Sequence, residues 1–163
     1  MTRLTSLTAV AAVSLALLTA VVAPAAAQSV ADRKVLTLEG AKRILAAAEA
    51  EARKNSWTVA IAVVDEAGNL VAFQKLDDTQ VGSIDIAIAK ARTAARMKRP
   101  TKALEDAVAG GRTVMLAVDG LMPLEGGVPV TVDGRIIGAV GVSGVTSQQD
   151  AQVAAAGAAA VGK

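Results

Sequence analysis

Apolar and polar positions change period along the chain, and the changes mark the elements. In "LTLEGAKRILAAAEAEARKNS" Leu38, Ala41, Leu45, Ala48 and Ala52 recur at helical spacing. Thr37 is placed to cap this helix, and Asn55 to stop it. "WTVAIAVVDEAGNLVAFQKL" alternates instead: Trp57, Val59, Ile61 and Val63, then Val71 and Phe73, around turn residues Asp65–Asn69. This predicts a hairpin with strands over 57–64 and 69–76. Helical spacing returns at Ile84, Ala87, Ile88, Ala91, Ala94 and Ala95, between a cap at Ser83 and a stop at Pro100. A short helix from Thr101 ends at Gly110 and Gly111. From Arg112 three further strands are expected, the last two near 126–131 and 135–142 about the tight turn Val132–Gly134. An alanine-rich helix capped by Thr146 or Ser147, with Asp150 in its first turn, closes the chain.

The predicted order is α-β-β-α-α-β-β-β-α. It lacks strict βαβ alternation, so the expected fold is an α/β domain of the α+β kind, with a mainly antiparallel sheet and helices packed on it. The N-terminus has a different pattern. Arg3 precedes an apolar run from Leu4 to Val22, then Pro24 and Ala25–Ala27. That is the layout of a signal peptide cut after Ala27. Residues 1–27 are therefore expected to direct export to a secreted or periplasmic location, with no membrane association after cleavage. Removing 27 of the 163 residues leaves 136, enough for one domain over 28–163.

Composition narrows the chemistry. The net charge of +2 falls to +1 without Arg3, which gives no argument for a nucleic-acid partner. The chain has one Trp, one Phe and no Tyr, so a stacking platform for single strands is missing as well. There is no His and no Cys, which excludes imidazole triads and disulfides and disfavours a zinc site, so no metal site is expected.

"IIGAVGVSGV" spaces its glycines as G-x-x-G-x-x-G at Gly138, Gly141 and Gly144. A dinucleotide loop needs G-x-G-x-x-G between a strand and a crossover helix, so these glycines are expected to let a helix or a second subunit pack closely. Ser143 and Gly144 also precede a helix N-terminus, where free N–H groups suit an anion.

Taken together, "GSIDIAIAKARTA", "LEGGVPV", "DGRIIGAVGVSG" and "SQQDAQVAAAGAAA" resemble the GlcG/HbpS family over roughly Leu36 to Val161. The resemblance implies a profilin-like fold with a five-stranded, mainly antiparallel sheet, assembly into homo-oligomers, and for some relatives exported haem binding in redox sensing. Haem or another tetrapyrrole is thus the first ligand to consider. The alternative is an enzyme on a small hydroxy or keto acid, using Lys90 and a backbone anion site. A purely structural or regulatory partner protein is a third reading.

The candidate ligand-binding residues are Ser83, Lys90, Gly126, Gly127, Val128, Pro129, Ser143 and Gly144, where the second long helix, the glycine loop and the strand end are expected to meet in a shallow pocket. Lys90 is a charge inside a small-residue stretch, in the place a lysine holds in the family's motif. Arg92 and Arg96 share a helix face and are candidates for a propionate or other anion, against a role opposing the helix dipole. Asp77 and Asp78 read best as solvated turn residues. An axial haem ligand would have to be a methionine such as Met97, Met115 or Met122, a lysine or a hydroxyl, or the iron would have none from the chain. No catalytic residue is identified.

Overall fold

The computed structural model describes residues 29–161. Residues 1–27, where the signal peptide is expected, lie outside them, and no helix among the described residues is long and apolar enough to cross a membrane. The elements are α1 (Leu38–Lys54), β1 (Ala60–Asp65), β2 (Leu70–Lys75), α2 (Ser83–Met97), α3 (Thr101–Ala109), β3 (Gly127–Val132), β4 (Arg135–Ser143) and α4 (Ser147–Ala158), with a 3₁₀ turn over Thr113–Ala117.

The strands form one antiparallel sheet in the order β2-β1-β4-β3. Four strands are present among the described residues, not five: the apolar run after Arg112 does not pair. Its start is drawn into tight turns, with the N–H of Arg112 donating to Ala107 O and that of Met115 to Arg112 O. Its end is fastened to α2, because the Thr93 hydroxyl accepts from the Met122 N–H at 2.9 Å. Pairing along the edge strand β3 loses to these anchors. Pro129, which lacks a donor, suits that edge position.

β1 is buried on both faces, so its alternation sorts residues between two helix layers. Ile61 and Val63 join Val140 and Val142 against Ile44, Ala48 and Ala52 of α1 and Val153 and Ala154 of α4. Ala60, Ala62 and Val64 join Ala139 against Ala87, Ala91, Ala94 and Ala95 of α2. Large side chains fill one interface and mostly alanines the other, which brings α2 close to the sheet. In α1 the burial falls on Ala41, Ile44, Ala48 and Ala52, while Leu38 is exposed.

Helix ends follow local chemistry. The Thr37 hydroxyl accepts from the Gly40 N–H, and Thr146 with Gln149 forms a reciprocal capping box. Ser83 is not a cap: it is the first residue of α2, and its hydroxyl meets Ser143 instead. α2 stops before Pro100, at Lys98 in the left-handed conformation (φ 52°).

Candidate functional site

The close seat of α2 depends on missing side chains. A Cβ on Gly141 would lie 2.1 Å from Ala87 O and 2.4 Å from Ala91 N, backbone atoms that cannot step aside. One on Gly127 would lie 2.5 Å from Lys90 O. The glycine-rich strand is thus a packing surface for a helix, and α2 carries Lys90 to the point where β3 begins.

Lys90 is 2% exposed. Its ammonium passes Gly126, where a Cβ would come within 2.7 Å of Nζ, and so reaches from the α2 layer to the start of α4. There it donates to Asp150 Oδ2 at 2.8 Å and to the Val142 carbonyl at 3.0 Å. Asp150 is equally buried. Its Oδ1 accepts from the Val145 N–H at 3.2 Å, and the Gly144 N–H also bonds to the carboxylate. Burial pushes the Asp150 carboxyl above its ordinary value, and the opposing pull of Lys90 and of the two N–H groups does not cancel it.

Of the expected residues, Gly126 and Gly144 border this ion pair, Gly127 lies against the Lys90 backbone, and Ser83 and Ser143 meet each other. What they enclose differs from expectation. The shallow pocket between helix, loop and turn is filled by the ammonium and by a carboxylate of the same chain, so Lys90 meets Asp150 rather than a ligand. Carboxylate chemistry at Lys90 would need a free ammonium. The Ser143 and Ser83 hydroxyls lie 3.3 Å apart. Val128 and Pro129 are half-buried on β3, and Gly144 passes close to the Thr58 carbonyl.

Arg92 and Arg96 are exposed, but each has a structural partner. Arg92 Nε donates to Gly68 O at 3.2 Å and Arg96 Nε to Ala67 O at 2.9 Å, clamping the β1–β2 turn onto α2. Asp77 and Asp78 are exposed, and among the described residues no three metal-ligating side chains cluster. Sequence reasoning missed two threonines. Thr93 holds Met122, and Thr101 Oγ1 accepts from the Gly127 N–H at 2.9 Å. Thr93 is marked in the sequence only as a threonine among alanines, and Thr101 only as the start of the short helix after Pro100.

A second region has the surface properties of a ligand face. The segment over 113–124 exposes Val114, Leu116, Val118 and Leu124 and half-buries Met115 and Met122. Between it and α2 lies a cavity of about 70 Å³ lined by Thr93, Arg96, Met97, Val118 and Leu121 among others.

An α+β domain with a four-stranded antiparallel sheet, helices on both faces and a lysine–carboxylate pair sealed by glycine defines the class of protein. The family model described as "Haem degrading protein HbpS-like" matches residues 36–159, and the chain belongs to this GlcG/HbpS family. Protein GlcG of Escherichia coli strain K12 is 51% identical over 109 residues, which span 67% of this chain and 81% of GlcG. The crystal structure of HbpS superposes with a TM-score of 0.76 at 34% identity, covering 83% of this chain and 96% of HbpS. The crystal structure of a PduOC–haem complex superposes with a TM-score of 0.71 at 28% identity, covering 78% of this chain and 96% of that one.

Proposed function

We propose that this chain is a haem-binding protein that takes the tetrapyrrole on the face formed by residues 113–124 and the C-terminal half of α2. One observation carries the reading: a chain of the HbpS-like family superposes on a domain crystallised with haem. The structure supports the fit in three ways. A porphyrin needs an apolar surface, and Val114, Leu116, Val118 and Leu124 offer one. Its propionates need a cation, and Arg96 lines the adjoining cavity. Its iron needs a donor; with no His or Cys in the chain, the half-buried thioethers of Met97, Met115 and Met122 are the candidates. A cavity of about 70 Å³ is far smaller than a typical ligand pocket of roughly 300–1,000 Å³, so the group would lie against the face rather than inside the domain. Bound haem would supply a one-electron redox centre; the chain's part is to shield one face, hold the propionates and set the axial donor.

Titration with haemin tests this. A saturable one-to-one change in the Soret band is expected, and changing the three methionines to leucine should alter the spectrum of bound haem. An unsaturable change matching that of haemin on an unrelated protein would overturn the proposal.

Two further proposals come from the sequence pattern and the family. Residues 1–27 direct export, which mass spectrometry of the secreted or periplasmic fraction would show as an N-terminus at Gln28. The domain assembles into a homo-oligomer; the exposed Leu70 and Val81, outside the haem face, support this, and a monomer mass in light scattering would refute it.

A further inference from the structure

The geometry points to a second site, a cleft built to take a small dianion. A cavity of about 350 Å³ is lined by Arg33, Lys34, Glu66, Lys98, Arg135 and Ile136, with Gly134. Four cations thus share one concavity.

Two of them are neutralised by carboxylates of the chain. Arg33 pairs with Glu66 at 3.1 Å, and Lys34 pairs with Asp133. Lys34 holds the Asp133 carboxyl below its ordinary value. Among the described residues Lys98 and Arg135 have no ion-pair partner, which leaves two positive charges facing one cavity. Cations gathered in a concave surface focus their field on a bound anion.

The backbone adds a second, independent observation. Lys98 sits at φ 52°, in the left-handed turn that ends α2, where its N–H donates to Ala95 O and the Arg99 N–H to Ala94 O. Glycine is the residue that such a helix end ordinarily takes, because a Cβ is strained there. Holding a lysine at this position costs stability, and Lys98 lines the cleft. Arg135 is fixed from the other side by the tight turn at Asp133 and Gly134, both at positive φ.

The ligand class is a small molecule with two negative charges, a dicarboxylate or a phosphate. It is independent of haem and of Lys90, so haemin binding and anion binding can fail separately.

Calorimetry at low ionic strength with malonate, inorganic phosphate and the monoanion acetate tests the site. Malonate or phosphate should bind at one-to-one stoichiometry and acetate at least tenfold more weakly. Whichever dianion binds more tightly names the source chemistry. Lys98→Gly and Arg135→Gln should each weaken binding at least tenfold, while Lys102→Ala, a cation outside the cleft, should change it less than twofold. Glycine is the unstrained residue at position 98, so Lys98→Gly should melt no lower than the parent, and its loss of binding cannot be blamed on unfolding. Absence of binding by both dianions, or an equal loss in all three variants, would overturn the proposal.

Discussion

At the scale of single residues, the Lys90–Asp150 pair decides how the centre of the molecule is read. Two charges are taken out of water, and each is justified only by the other and by the Val142, Val145 and Gly144 backbone groups. Lys90→Ala leaves a buried, unpaired carboxylate and should cost about 3–5 kcal/mol in a denaturant melt, whereas Lys90→Met combined with Asp150→Leu should recover most of that loss. The loss in Lys90→Ala should also depend on pH. A carboxyl whose folded-state value is raised contributes stability that is present below its unfolded value and lost as pH rises through the folded one. Removing the ammonium removes the pull that opposes burial, so the deficit should be smaller near about pH 4 than near about pH 7. A deficit that is constant with pH would mean that Asp150 is not the group left exposed to burial. The lysine was legible in the sequence as a charge among small residues. Its partner was not, because the two lie 60 positions apart and only the fold joins them.

At the scale of elements, helix period and strand alternation carried most of the architecture. α1, α2 and α4 follow their 3.6-residue pattern, and the β1–β2 and β3–β4 hairpins follow their turn residues. The apolar run over 112–119 misled because a short run of that kind reads equally as a buried strand, and nothing local shows that Thr93 will hold its far end on α2. The packing role of the glycines gives a sharp prediction. Gly141→Ala drives a Cβ into the α2 backbone and should lower stability by about 1–3 kcal/mol or more, with α2 displaced. Gly82→Ala, with no neighbour within 4 Å of the new atom, should be close to neutral. Chemical denaturation of the two variants makes the comparison, and equal effects would refute the close seat of α2.

At the scale of the whole molecule, the structure separates a sealed centre from an open apolar face. Lys90, expected to face a ligand pocket, ties α2 to α4 through Asp150, while the segment expected to be a strand becomes the proposed haem surface. The measurement that tests this most directly is haemin affinity in two double variants. Leu116→Asp with Val118→Asp changes exposed side chains, so the fold should persist. Losing that apolar contact should weaken haemin at least roughly tenfold, since burying such a side chain is worth about 1.5–3 kcal/mol. Lys90→Met with Asp150→Leu, once shown to be folded, should bind haemin within about threefold of the parent, a difference of less than 1 kcal/mol. The opposite result, undiminished binding in the first variant and loss in the second, would return the site to Lys90 and contradict the account.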